Sequence, residues 1–274
     1  MAFRRIGFAV ALVAVFALAM PLTAGAQGPG GAPPQLYTPT AADKNAKAVL
    51  YNWASHMGML RGLEEHELVI TLEYQGTGTI QVDGQPCTLK KYRNSISYQV
   101  AGQRTQIECT RANGQTYTAI EVVNGAYAWN EDIPGAEIIA GKGKATPMPN
   151  AVQERLIRLW ASPQGALKAA EVGAGIPLMA MERDLGRILK PGSNTIGQTS
   201  VAWEGDKPVV TYPIPGVAGA TAKSTPDRRY MAEKVVVTNG ATTTEFTYGD
   251  YNDWNNPLNK IEAYYAGKMT ERRG

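Results

Sequence analysis

The residues best equipped for chemistry in this chain are few. Only two histidines occur, His56 and His66, and only two cysteines, Cys87 and Cys109. Ten positions apart, the histidines do not have the spacing of metal ligands on one helical face. His66 lies in Glu64-Glu65-His66-Glu67, which reads as a solvated helix-to-strand junction. No Gly-x-Ser-x-Gly elbow is present, and two histidines leave little room for a Ser-His-Asp triad. A Cys-x-x-Cys-His haem signature is absent. Gly141-Lys142-Gly143-Lys144 lacks the further glycine and the Ser/Thr of a phosphate loop. Glycosidase chemistry needs only two carboxylates. Glu121, Glu131 and Asp132 are available for it, but by sequence they look like any surface acids. No catalytic residue, metal or cofactor is expected from this reading.

The cysteines pose a geometric question. An exported chain with an even cysteine count favours a disulfide. A tight hairpin at Ala101-Gly102 would place Cys109 opposite about Asn94, several residues from Cys87. Bridging needs Cα atoms within about 7 Å, which a flat three-strand ladder does not give but a bend or bulge would. The two residues are therefore either a disulfide or a pair of small buried hydrophobes, Cys87 beside Leu89 and Cys109 beside Ile107.

Export itself is read from the first 26 residues. Arg4 and Arg5 form a charged start, 6–22 is nearly all apolar, and Ala24-Gly25-Ala26 gives the small-x-small cleavage pattern. The mature chain is expected to begin at Gln27, with no transmembrane span left after cleavage and a periplasmic or secreted location. No cysteine follows the cleavage point to carry a lipid. Losing Arg4 and Arg5 lowers the formal charge from +3 to about +1, so basicity gives no case for a nucleic-acid partner. Residues 27–39, rich in Gly and Pro, form a flexible leader. The remainder, 40–274, is read as one β-rich domain, long enough to bury a core without staples.

The elements that position any site are strands first. Between 67 and 130, Asp83-Gly84, Ala101-Gly102, Asn113-Gly114 and Asn124-Gly125 punctuate an antiparallel meander. Ile96, Tyr98 and Val100 alternate with Ser95, Ser97 and Gln99, and Thr105, Ile107 and Cys109 with Arg104, Gln106 and Glu108. That is the period of strands with one dry face. A helix is expected over 41–63, with Thr40 and Asp43 as a capping box and Gly62 as its stop. Its apolar stripe is Ala46, Val49, Leu50, Trp53, Met57 and Leu60. A second helix runs from Asn150, as N-cap, to Trp160, and Ser162-Pro163 starts a third reaching about residue 170. A weaker helical stretch is 181–189, and 173–177 is read as a hinge. Strands return at 201–204, 209–212, 230–238 and 242–248, with a last one over 261–269. Tyr251, Trp254, Tyr264 and Tyr265 form a possible contact patch near the end.

The layout is helix 41–63, sheet 68–130, helices 150–170 and returning strands after 201. Together with Val122-Val123-Asn124-Gly125-Ala126-Tyr127-Ala128-Trp129 before the mid-chain helices, it resembles the LolA/LolB-like periplasmic lipoprotein carriers and receptors. The resemblance covers most of the mature chain. It implies an α+β, mostly β fold: a curved antiparallel open barrel, or half-barrel, covered by amphipathic helices as a lid. It also implies an inward-facing arginine holding a lid helix, for which Arg93, Arg104 and Arg111 are equal candidates. The expected function is that of an exported, non-enzymatic binder or carrier of a lipid or lipoprotein acyl chain in the cell envelope. Trp53, Met57, Leu60, Trp129, Leu156 and Trp160 are the expected apolar lining. An envelope protein–protein interaction module with a filled core, and a carboxylate-based hydrolase, stand as alternatives.

Overall fold

The computed structural model describes residues 44–60, 69–136, 141–176, 198–256 and 261–274, with the backbone alone at 254–256 and 261–262. All belong to one unit, Leu36–Gly274. The export signal, the leader, His66, Pro177 and the helical stretch 181–189 lie outside the described residues.

Two antiparallel sheets account for most of it. The first runs β1-β3-β4-β5-β6-β7, with β2 pairing beside β1 on the same edge of β3. Its strands are β1 (Thr71–Gln75), β2 (Thr79–Val82), β3 (Gln85–Ser97), β4 (Gly102–Arg111), β5 (Thr116–Asn124), β6 (Tyr127–Glu131) and β7 (Ala145–Pro147). The second runs β13-β12-β11-β10-β9-β8. It comprises β8 (Ser200–Glu204), β9 (Lys207–Pro213), β10 (Thr221–Pro226), β11 (Ala232–Asn239), β12 (Thr242–Asn256) and β13 (Ile261–Arg273). Among the described residues no backbone ladder joins the two sheets into a closed barrel. They do meet, since Tyr74 on β1 lies against Tyr265 on β13 with ring centroids 4.9 Å apart.

Local chemistry sets the turns. Val82 pairs with Gln85 across Asp83-Gly84, and both turn residues have positive φ, 52° and 74°. That is the conformation Asp-Gly tolerates best in a two-residue hairpin. At Asn124-Gly125 the asparagine instead ends β5, and Gly125-Ala126 form the turn.

The expected tight hairpin at Ala101-Gly102 is corrected. Ser97 pairs with Gly102, so the loop is 98–101 and β3 is one continuous strand. This slides β4 along β3, and Cys109 comes opposite Leu89 rather than Asn94. A bulge between Leu89 and Lys91 adds a local bend. Cys87 and Cys109 form a disulfide with Cα atoms 5.5 Å apart. Both are fully buried in a small satellite core with Val82, packed by Ile80, Leu89, Ile107 and Tyr117. The sequence offered bond and hydrophobic pair as alternatives; both are realised at once.

Three helices complete the fold: α1 (Ala46–His56), α2 (Val152–Ala161) and α3 (Pro163–Gly173). α1 is shorter than expected at both ends. Its N-cap is Asn45, whose Oδ1 accepts from Ala48 N at 2.9 Å. It stops at Gly58, not Gly62. Gly58 has φ of 68°, Gly58 N donates to Ser55 O, and Met59 N donates to Ala54 O. That is a Schellman cap, which favours glycine in the left-handed position. Asn150 does not cap α2: it sits inside a 3-10 turn, Pro149–Ala151, that leads into the helix.

The helices share one hydrophobic core with both sheets. α2 packs on β4, β5 and β6 of the first sheet and on β11 of the second. α3 packs on β9 and α1, and α1 also meets β8. No described helix is long and apolar enough to cross a membrane.

Candidate functional site beneath the helices

The helix α2 is two-sided. Leu156, Leu159 and Trp160 have no exposed surface. The flank carries Glu154, Arg155 and Arg158, and this edge ties α2 to both sheets. Arg155 is 7 % exposed. Its guanidinium donates to Val122 O and Trp129 O at 2.8 Å and to Asn130 Oδ1 at 2.6 Å. Arg158 meets Glu121 of β5 at 3.7 Å and Glu271 of β13 at 3.2 Å. Glu154 pairs with Arg158 and with Arg273 of β13. Hydrogen bonds that involve an ion are worth about 1.5–3 kcal/mol each, so Arg155 alone is a strong anchor.

The junction between α2 and α3 is a second anchor. Ser162 has an extended backbone, φ −58° and ψ 153°, so it ends one helix and caps the next. Its hydroxyl donates to Leu159 O at 2.6 Å and accepts from Gly165 N at 3.3 Å. With that proton committed, Tyr98 OH, 2.9 Å away, donates to Ser162 Oγ. Tyr248 OH donates to Ala161 O at 2.6 Å, and Tyr212 OH to Trp160 O at 3.5 Å. The last carbonyls of a helix have no partner within it; here two tyrosines and a serine supply them. Burial pushes the Tyr98, Tyr212 and Tyr248 hydroxyls above their ordinary range, so they stay neutral donors.

Every residue of α3 is buried, polar Gln164, Lys168 and Glu171 included. Lys168 Nζ stands 5.8 Å from the Tyr98 ring centre. The helix ends in a cap of its own, where Gly175 has φ of 72°, Gly175 N donates to Val172 O and Ile176 N to Glu171 O. The described part of the expected hinge, 173–176, is thus a closed Schellman cap. Gln198 N, Thr199 N and Thr199 Oγ1 tie α3 at Gly173 and Ala170 to the approach to β8.

Of the expected lining residues, Trp53, Met57, Leu156 and Trp160 meet in the shared core, each with no surface that water can touch. Leu60 is half-buried against the same core. Trp129 stands apart from it: its Nε1 donates to Glu131 Oε1 at 3.0 Å. Arg93, Arg104 and Arg111 do not reach a helix through any described hydrogen bond or ion pair. They pair with Glu73, Glu131 and Asp83. The sheet-to-helix arginine is Arg155, on the helix side, which sequence reading missed. Its one signal was a charge next to the apolar stripe of α2.

The acids separate too. Glu131 is no surface acid, with its side chain 2 % exposed. It accepts from Arg104 twice, at 3.1 Å, and from Trp129 Nε1 and Gly135 N. Asp132 Oδ1 accepts from Ile133 N and Lys144 N and shapes a loop. His56 Nδ1 donates to Asn52 O at 2.8 Å, and the ring stacks on Tyr230. Of the terminal aromatics, Tyr251 and Tyr264 pack against the core, while Tyr265 lies on Tyr74. Compared with known protein families and with curated proteins, the chain matches none.

Proposed function

We propose that this chain is an exported, non-enzymatic binder or carrier of a hydrophobic ligand, a lipid or an acyl chain, built on a LolA-like half-barrel. Two features support curvature. Bulges break the ladders at Leu89/Lys91 and at Thr225/Pro226, and Asp250 interrupts the long β12–β13 pair with φ of 52°. Such irregularities bend strands and raise their twist. α2 packs on both sheets, and α1 and α3 pack on the second.

The observation that carries the binding reading is the contrast between the helices. α2 and α3 are bolted to both sheets by Arg155, Arg158, Ser162, Tyr212 and Tyr248. α1 instead lays an apolar stripe, Val49, Leu50, Trp53 and Met57, over the same core. Its described polar ties to the sheets sit at its ends, Trp203 Nε1 to Lys44 O and Tyr264 N to Met57 O. The described core residues at this place leave no surface to water, so a ligand enters by displacing a helix, and α1 is the helix that leaves. Each methylene that takes its place gains about 0.8 kcal/mol on leaving water. Mass spectrometry of an organic extract of the purified protein, with uptake of a fluorescent fatty acid, tests the reading. A co-purifying lipid or saturable uptake supports it; neither would overturn it.

The zero exposure of Trp53, Met57, Leu156 and Trp160 favours a second reading, an envelope interaction module with a filled core. Crosslinking in the intact envelope distinguishes it: a specific protein partner without lipid would favour the module.

A further inference from the structure

Among the described residues the two sheets share no backbone ladder, yet they touch through tyrosines. Tyr74 on β1 and Tyr265 on β13 have ring centroids 4.9 Å apart and ring planes tilted by 39°. Tyr92 on β3 is farther from Tyr74, at 6.1 Å, and belongs to the same sheet as Tyr74. The hydroxyl ends converge as well: burial, and after it the Tyr74 hydroxyl, push the Tyr265 hydroxyl up. Tyr74 is pinned from its own sheet. Its hydroxyl accepts from Asn94 Nδ2 at 2.7 Å, and Asn94 is 1 % exposed. Asn94 Oδ1 in turn accepts from Gln103 Nε2 at 3.1 Å and from Thr105 Oγ1 at 3.2 Å. The Tyr74 phenol is therefore fixed through β3 and β4 while its ring rests on β13. Tyr74 and Tyr265 are both half-buried, open to a small oxidant.

A phenol that gives up one electron and its proton becomes a phenoxyl radical. The unpaired electron is shared between the oxygen and, among others, the ring carbons on either side of it. Two such radicals in contact join through those carbons, and the product carries its two hydroxyls side by side. Rings in contact with their hydroxyls drawn together are already arranged for that product. We propose that Tyr74 and Tyr265 are a site of oxidative cross-linking, where a dityrosine joins the two sheets covalently. One carbon–carbon bond forms between ring carbons beside the hydroxyls, and two ring C–H bonds break. Two electrons and two protons leave. With hydrogen peroxide as oxidant, acting through a peroxidase-type one-electron catalyst, they end in two molecules of water. The Cys87–Cys109 disulfide fits the same oxidising setting. The link closes a loop from β1 to the last strand, and cross-links over long loops restrict the unfolded chain most. It needs no ligand and is independent of the binder reading above.

The test irradiates the mature chain, in dilute solution, with a ruthenium trisbipyridyl photocatalyst and persulfate. One persulfate takes an electron from each of two tyrosines and leaves as two sulfates. The expected product is a monomer lighter by two hydrogen atoms, with the blue fluorescence of dityrosine. Its digest should contain one linked pair of peptides, carrying Tyr74 and Tyr265. Tyr265→Phe keeps the ring and should abolish the link, whereas Tyr92→Phe should retain it; near-ultraviolet dichroism checks that both variants are folded. A linked pair that maps to any other tyrosines, or a link that survives Tyr265→Phe, would overturn the proposal. Links between molecules alone would overturn it too. So would a monomer without a link in a sample where Tyr127, 73 % exposed, has been oxidised.

Discussion

At the scale of single residues, two buried charges hold the strands and helices in place. Glu131 gathers donors from β4, β6 and the loop that follows, and its pKa reflects their balance. Burial pushes the carboxyl up, but Arg104, Trp129 and the Gly135 amide together hold it below the usual carboxylate range. A depressed folded value stabilises the protein above the unfolded carboxylate pKa, and that contribution is lost as pH falls through the folded one. Thermal melts from pH 7 to pH 2 should therefore show a loss of stability below about pH 4.5 that is smaller in Glu131→Gln. Arg155→Met keeps the length of the side chain but strands two buried carbonyls. It should lower unfolding free energy by about 3 kcal/mol, read by urea titration. Sequence reading looked for such an arginine on the strands, at Arg93, Arg104 or Arg111, because a family resemblance suggested that direction. Periodicity places a charge at the edge of an apolar stripe; it does not say which partner's carbonyls lie within reach.

At the scale of elements, what was legible depended on whether a residue's type dictates its conformation. Asp83-Gly84 and Ser162-Pro163 were legible because each fixes its own backbone locally. Helix α1 was legible by its stripe, but its end was not: Gly58 and Gly62 are equally good stops until packing decides. Strand β10 was missed because its inward residues, Ala222, Ser224 and Pro226, are too small to mark an apolar period, although all three are buried. The full burial of α3 was missed for a related reason, since its alanines and glycines, with Lys168 and Glu171 among them, resemble a solvated surface. The disulfide turned on a four-residue shift in the register of one hairpin, which tertiary pairing sets. It closes a loop of 22 residues, and such a bridge contributes about 3 kcal/mol, chiefly by restricting the unfolded chain. Reduction, or Cys87→Ala with Cys109→Ala, should lower the melting temperature by several degrees, measured by circular dichroism, while leaving ligand uptake intact, because this satellite core is separate from the one beneath the helices.

At the scale of the molecule, the α+β, mostly antiparallel architecture was readable from turn spacing, whereas the closure of the interior was not. Closure depends on side chains from three helices and two sheets meeting in one place. The same interior makes an alkaline prediction. Burial raises the hydroxyls of Tyr92, Tyr98, Tyr212, Tyr248, Tyr251 and Tyr265 above the ordinary tyrosine range. A raised folded value contributes stability below the unfolded pKa, and that stability is lost as pH rises beyond it. Above about pH 10, phenolate absorbance at 295 nm should appear cooperatively, together with loss of near-ultraviolet dichroism. Gradual ionisation in a protein that stays folded would contradict the packing described here.

The most direct measurement is hydrogen exchange, followed by mass spectrometry, on peptides covering α1 and α3. Entry of a ligand by displacement of α1 predicts that residues 46–56 exchange faster than residues 163–173 in the free protein, and that 1-monopalmitin, taking the place of α1, speeds the first further without changing the second. Equal protection of the two helices, unaltered by the lipid, would contradict it.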